Sequence, residues 1–171
     1  CYSGLKWVYD NAAELNVDRK RILIAGESGG GNLSIATALK AKEENSLFML
    51  SSGIYCMCPY IAGTWSGRET WSDRLGISHK ENHGLLLKIP IHDDAQYIFG
   101  QKMYCGEIKT NWLNPKAWPG YATVNDVKGL PRIKISVNEC DPLRDEGILF
   151  YRKCMKANVK AYCRIVLGTC H

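Results

Sequence analysis

The chain has 171 residues, which is a normal size for one domain and enough to bury a core. Hydrophobic residues make up 46% of it and charged residues 23%, as in a soluble globular protein. No apolar run approaches the ~20 residues that cross a membrane. The net charge is +5, but the basic residues are scattered, and the densest cluster, residues 19–21, is better explained as a solvated strand entry than as a nucleic-acid patch. The composition therefore argues against membrane-spanning and nucleic-acid-binding proteins.

Eight cysteines are a high number for this length, but their spacing shows no framework, so a disulfide scaffold is not expected. Cys56 and Cys58 are spaced like a pair of metal ligands, yet no second pair accompanies them, and we predict no metal site. Reduced cysteines predict a cytoplasmic protein. The sequence begins with Cys1 rather than methionine, so we expect an unnatural start, and an upstream targeting segment stays open.

Predicted helices and strands alternate along the chain. Apolar residues at helical spacing predict a helix over residues 2–15, and the short apolar run at 21–26 predicts a strand covered on both faces. The elements that follow are a helix over 29–44, a strand over 46–56 and an irregular insertion over about 60–120 with short helices near 93–99. After the insertion come a strand with a turn at its end over 131–142, a helix over 145–157 and a strand over 161–168. This alternation predicts an α/β protein, a mostly parallel sheet with helices on both faces.

The stretch GESGG, from Gly26 to Gly30, matches G-x-S-x-G and lies between a predicted strand and a predicted helix. In a nucleophile elbow this turn is so tight that side chains at Gly26 and Gly30 would collide, and it lifts the hydroxyl of Ser28 above the sheet. The backbone N–H of Gly29, at the start of the helix, is a candidate oxyanion donor. A phosphate-binding turn and a purely structural glycine turn stay open as alternatives.

A nucleophilic serine needs a base, and the base needs an orienting acid. In this topology they follow in the order serine, acid, histidine, each after a strand. Asp141 follows the third predicted strand and His171 the fourth, so we predict a triad of Ser28, Asp141 and His171. Three other acids lie near the third strand. Asp145 and Glu146 are better explained as helix-start acids, and Glu139 as a hydrogen-bonding neighbour.

The irregular insertion carries the other histidines, His79, His83 and His92, and four of the five tryptophans. His79 and His83 could lie on one helical turn as metal ligands do, but no third ligand or H-E-x-x-H pattern accompanies them, so a surface pair is the default. The tryptophans suit either a pocket wall or ordinary packing. The insertion therefore adds no residue to the predicted site.

Several blocks of the sequence resemble the hormone-sensitive-lipase-like carboxylesterases. Residues 138–147, NECDPLRDEG, resemble their acid block, and residues 26–33, GESGGGNL, resemble their nucleophile elbow. Residues 168–171, GTCH, resemble the histidine loop of the brefeldin A esterase-like branch, to which 111–119 and 124–131 are also similar. The resemblance covers essentially the whole chain.

This resemblance implies an α/β-hydrolase fold and hydrolysis of small carboxylic esters, of short to medium acyl length, through an acyl-enzyme without a cofactor. It implies Ser28 as nucleophile, Asp141 as orienting acid and His171 as general base and acid. Plant gibberellin receptors resemble the same family but have lost the triad histidine, so a non-catalytic binding protein on this fold is the alternative. The presence of His171 argues against it.

The sequence also departs from the family. It matches neither the His-Gly-Gly block upstream of the elbow, whose backbone N–H groups complete the oxyanion hole, nor the first strands, the N-terminal cap and the last helix. We therefore expect residues 1–171 to be an incomplete C-terminal portion of a catalytic domain, of unknown oligomeric state. Loss of one oxyanion donor typically costs ~10²–10³ in rate. The strand at 21–25 would become an aggregation-prone edge, and fraying would take His171 away from Ser28, so an inactive fragment is a further alternative.

Overall fold

The computed structural model describes residues 1–63, 103–104, 113–141 and 143–171. Its four strands form one parallel sheet whose spatial order follows the chain: β1 (Leu23–Glu27), β2 (Gly53–Met57), β3 (Ile133–Asn138) and β4 (Ala161–Val166). The helices are α1 (Tyr2–Asp10), α2 (Gly29–Glu43), α3 (Val124–Val127) and α4 (Arg144–Lys156), with 3₁₀ turns at Arg19–Arg21, Leu47–Leu50 and Pro119–Tyr121. The predicted parallel α/β architecture is confirmed.

Helices α2 and α4 pack against the same face of the sheet. A Cβ added to Gly147 of α4 would meet the side chains of Ile135 and Val137 in β3. Cys56 of β2 lies beside Ile135 in the sheet, and its thiol donates to the carbonyl oxygen of Gly31 in α2. The sequence predicted helices on both faces. Because the strand order runs in one direction across the sheet, right-handed crossovers place both of these helices on one side.

The hydrophobic core fills the space between this face and the helices. Its most buried large side chains, all 1% exposed or less, include residues from α2, the turn before β2, the strands and α4: Ile35, Leu50, Ile54, Ile135 and Phe150. Core packing of this kind holds strands and helices rigidly relative to one another. It gives the loops at the carboxyl end of the sheet a fixed base.

Strand β1 lies at an edge of the sheet, and among the described residues its hydrogen-bonded neighbour is β2 alone. Leu23 is 50% exposed, and Ala25 and Glu27, on the same face, are exposed as well. The prediction of a strand covered on both faces is therefore wrong for the described part of the chain. Within the residues that the structure describes, the prediction of an apolar strand at an exposed edge is confirmed.

Two elements are shorter than predicted. Helix α1 ends at Asp10 rather than near residue 15, and turns lead to Asn16, whose φ of 54° lies in the left-handed region. The run 46–56 divides into the 3₁₀ turn and β2, which begins at Gly53, a glycine with φ of 102°. The helices predicted near 93–99 lie outside the described residues.

Within the described ranges, no helix has the length and apolar character needed to cross a membrane.

Candidate active site

Ser28 forms the turn between β1 and α2. Its φ of 53° and ψ of −117° depart from the ordinary regions for a residue with a side chain, a departure that costs of order 1–3 kcal/mol and needs support from its surroundings. Its N–H donates to the carbonyl oxygen of Met57 at 2.9 Å, and its own carbonyl oxygen accepts from the N–H of Tyr60 at 3.0 Å. The segment after β2 therefore holds the serine backbone in this conformation.

The glycines of the elbow differ in how much room they leave for a side chain. A Cβ on Gly26 would overlap with the backbone carbonyl of Gly30, as predicted, but a Cβ on Gly30 would meet nothing within 4 Å, so the predicted collision is wrong for Gly30. The sequence pattern predicts no role for Gly31, yet a Cβ there would lie 2.9 Å from the Cβ of Pro59. Gly29 is the first residue of α2, where backbone N–H groups lack intrahelical partners. Its N–H therefore has no acceptor within α2.

The structure brings the three predicted residues together. Asp141 is fully buried after β3; its Oδ1 accepts from the N–H of Leu143 at 2.8 Å, and its Oδ2 lies 2.8 Å from Nδ1 of His171. Nε2 of His171 lies 2.9 Å from Oγ of Ser28. In the tautomer with the proton on Nδ1, His171 donates to Asp141 and accepts from Ser28. A chain of hydrogen bonds with this geometry can let a histidine take the proton of a serine hydroxyl.

Hydrogen bonds between two loops fix the segment before His171. The carboxylate of Glu139 accepts from the N–H of Gly168 at 2.7 Å, so Glu139 is a hydrogen-bonding neighbour, as the sequence predicted. The side-chain amide of Asn138 donates to the carbonyl oxygen of Cys170 at 2.6 Å. The loop after β4 is thus held against the loop that carries Asp141.

Glu146 is a buried carboxylate that sequence reasoning explained differently. Asp145 and Glu146 both lie in the first turn of α4, as predicted for helix-start acids. The Oε2 of Glu146, however, accepts from the N–H groups of Ile61 and Ala62 at 3.0 and 2.5 Å. Burial raises the pKa of Glu146 to about 8, although the two N–H donors favour the charged form. In the sequence, the signal for this role was the place of Glu146 in the acid block. Residue spacing alone does not reveal that its carboxylate accepts hydrogen bonds from these backbone groups.

Cys58 is a buried group near Asp141 that the sequence analysis considered only as a partner of Cys56. It directly follows β2, is 5% exposed and has a φ of 41°. Burial, together with the negative charge of Asp141 and a hydrogen bond to it, raises the pKa of the Cys58 thiol to about 11. Within the described residues, Cys58, Asp141 and His171 form one group of side chains with metal-ligating atoms close together. His79, His83 and His92 lie outside the described part of the chain.

Comparisons with known proteins agree with the fold. A model of the alpha/beta hydrolase fold family matches residues 1–171, and the chain belongs to that family. An arylesterase of Saccharolobus solfataricus is 29% identical over 171 residues, a match that covers 100% of this chain and 50% of that protein.

Solved esterases share the fold. Esterase Est22 is 48% identical with a TM-score of 0.80, over 100% of this chain and 47% of that one. Brefeldin A esterase, a bacterial homologue of human hormone-sensitive lipase, is 32% identical with a TM-score of 0.82, over 100% and 45%. The resemblance seen in the sequence is confirmed, and the chain spans about half the length of these relatives.

Proposed function

We propose that the protein is a serine carboxylesterase that acts through an acyl-enzyme, and that residues 1–171 form part of its catalytic domain. The observation that carries this proposal is the pair of contacts made by His171, 2.9 Å to Oγ of Ser28 and 2.8 Å to Oδ2 of Asp141. A phosphate-binding or structural glycine turn requires neither contact. The esterase relatives support the same chemistry.

In the proposed acylation step, Oγ of Ser28 attacks the ester carbonyl carbon while Nε2 of His171 takes the hydroxyl proton. Asp141 accepts the hydrogen bond from Nδ1 and stabilises the imidazolium that forms. Its burial and its bond from Leu143 fix its direction, so the imidazole is held in the productive tautomer. His171 then gives the proton to the leaving alkoxide, and the acyl group stays on Ser28.

In the proposed deacylation step, water attacks the acyl-enzyme with His171 again as base. Each step passes through a tetrahedral oxyanion, toward which the N–H of Gly29 is a donor at the positive end of α2. The reaction needs no cofactor, because the triad supplies the nucleophile and both proton transfers.

For the substrate, we propose small carboxylic esters of short to medium acyl length. An aryl leaving group is supported by the name of the Saccharolobus relative, an arylesterase, and by a structure of Est22 with p-nitrophenol. p-Nitrophenyl esters are therefore suitable probes. The cellular location stays a prediction.

The test is hydrolysis of p-nitrophenyl acetate, butyrate and octanoate by the longest polypeptide that the gene encodes, with the 171-residue chain in parallel. Ser28→Ala is expected to lower kcat/KM by at least about 10⁴-fold. Ser51→Ala is the matched control, because Ser51 is exposed and lies before β2, at the opposite end of the sheet. A fluorophosphonate should label the wild-type and Ser51→Ala proteins and leave Ser28→Ala unlabelled.

Folded longest-form protein that neither hydrolyses these esters nor reacts with the fluorophosphonate would contradict the proposal and favour a non-catalytic binding protein. Activity in the longest form with none in the 171-residue chain would instead identify the chain as an inactive fragment of an esterase.

A further inference from the structure

Cys58, Asp141 and His171 bring three different metal-ligating groups to one place. The sulfur of Cys58, a carboxylate oxygen of Asp141 and a ring nitrogen of His171 all lie within 4.8 Å of one another. Cys58 and Asp141 are buried, whereas the side chain of His171 is 41% exposed. The cluster is thus open to solvent on the histidine side, through which an ion can enter.

We propose that Cys58, Asp141 and His171 form a binding site for Zn²⁺ and chemically similar divalent cations, and that occupation of this site inhibits the enzyme. The inhibition rests on the proposed esterase function, whereas the binding does not. Thiolate, imidazole and carboxylate are the ligands that Zn²⁺ prefers in proteins. Three protein ligands leave the fourth tetrahedral position to water from the open side.

The geometry needs a small rearrangement of the cluster, in which Nδ1 of His171, 2.8 Å from Oδ2 of Asp141, also moves away from that oxygen. Zinc–ligand distances of about 2.0–2.3 Å place the ligand atoms of a tetrahedral site roughly 3.5 Å apart. Cys58 is held through its backbone N–H, which donates to the carbonyl oxygen of Ser136, and Asp141 by its bond from Leu143. His171 is the most exposed of the three ligands, so its ring supplies the movement.

Binding changes the protonation of His171. The ion forms one bond to the sulfur of Cys58, whose thiol proton goes to solvent, and one to a ring nitrogen of neutral His171. If Nδ1 binds, the ring proton moves to Nε2, which can then only donate to Ser28 and no longer accept its proton. If Nε2 binds, that nitrogen is blocked directly. In either case metal binding alone removes the nitrogen of His171 that would accept the proton of Ser28.

The test uses the longest polypeptide that the gene encodes, in wild-type, Cys58→Ser, Cys58→Ala and Cys170→Ser forms. Co²⁺ serves as a spectroscopic substitute for Zn²⁺, since a bound thiolate gives a cobalt charge-transfer absorption band. The wild-type and Cys170→Ser proteins should show this band, and both Cys58 variants should lack it. Cys170→Ser is the matched control, because Cys170 is an exposed thiol next to His171.

Activity supplies the second readout. Zn²⁺ should inhibit p-nitrophenyl butyrate hydrolysis, EDTA should restore it, and Mg²⁺, which prefers oxygen ligands, should not inhibit. In the Cys58 variants the inhibitory Zn²⁺ concentration should rise at least tenfold.

A wild-type protein without the cobalt band overturns the proposal, even if both Cys58 variants fail to fold. A band or inhibition that survives in folded Cys58 variants, or disappears in Cys170→Ser, also overturns it. A Cys58-dependent band in a protein that hydrolyses no ester would support the site and contradict the proposed function, so the two failures are distinguishable.

Discussion

The turn around Ser28 brings the backbone of Gly30 against the α-carbon of Gly26. The missing side chain matters at Gly26, because a Cβ would overlap with the carbonyl group of Gly30. At Gly30 itself a Cβ points into open space. In the G-x-S-x-G pattern, steric overlap thus explains the glycine at Gly26 and does not explain the glycine at Gly30.

We predict that Gly26→Ala shifts the elbow, destabilises the fold by about 1–3 kcal/mol, as overpacking typically does, and lowers kcat/KM at least tenfold. Gly30→Ala, the matched control in α2, should change stability by less than about 1 kcal/mol. Thermal unfolding and p-nitrophenyl butyrate kinetics measure both effects. Equal losses in the two variants would refute the steric explanation.

Individual site residues differ in how well the sequence predicts them. Ser28, Asp141 and His171 were predicted because each lies in a short block with a recognisable local pattern. Cys58 was not, because its contact with Asp141 depends on the pairing of β2 with β3, between segments far apart in the chain. No local spacing encodes such a contact.

At the scale of elements, Glu146 connects α4 to the segment after β2. Its carboxylate accepts from two successive backbone N–H groups, of Ile61 and Ala62, which a buried loop must otherwise leave unpaired. The same loop also hydrogen-bonds to the backbone of Ser28 through Tyr60. Loss of the Glu146 contact would therefore loosen the support of the elbow.

Glu146 also predicts a pH dependence of stability. Its pKa is raised from 4.5 to about 8 in the folded state, so its stabilising contribution is fully present below about pH 4.5 and is lost as the pH rises through about 8. Glu146→Gln retains an oxygen acceptor but cannot ionise. The unfolding temperature of the wild type should therefore fall relative to this variant between about pH 5 and pH 9.

The matched control for this prediction is Glu14→Gln, which removes an exposed carboxylate and should leave the pH profile of the wild type unchanged. Identical pH profiles of the wild type and Glu146→Gln would show that Glu146 titrates as it does in the unfolded chain.

Element boundaries were harder to predict than the elements themselves. The apolar run 47–50 was interpreted as the start of a strand, but it forms a 3₁₀ turn that buries Met49 and Leu50. Short apolar runs fit either a strand or a buried turn, and periodicity does not separate them. Gly53, with its positive φ, marks where the strand begins.

At the scale of the whole molecule, the described residues leave the sheet with an open edge at β1 and with a face that the described helices do not cover. On this face β1 carries Leu23, which is half exposed, followed by Ala25 and Glu27. An exposed apolar edge strand presents unpaired backbone groups to other chains. The handedness that puts α2 and α4 on one side leaves this surface open in the described residues.

We predict that the 171-residue chain self-associates through this edge and that Leu23→Lys reduces the association, because a charged edge residue opposes strand addition. Leu33→Lys is the control, since Leu33 is 38% exposed on α2 and receives the same charge away from the edge. Sedimentation velocity over a range of concentrations measures the effect. A similar reduction by both variants would attribute it to net charge.

The contact between Ser28 and His171 joins the segments that follow the two outer strands of the described sheet, β1 and β4. Neighbouring strands lie about 4.8 Å apart, so β1 and β4 are separated by roughly 14 Å, and the loop after β4 runs back across the intervening strands to reach Ser28. Because this contact depends on all three strand pairings, the serine reactivity that the proposed function requires would report the native fraction of molecules. Active-site titration in increasing denaturant would then trace the cooperative unfolding of the entire sheet with one chemical label.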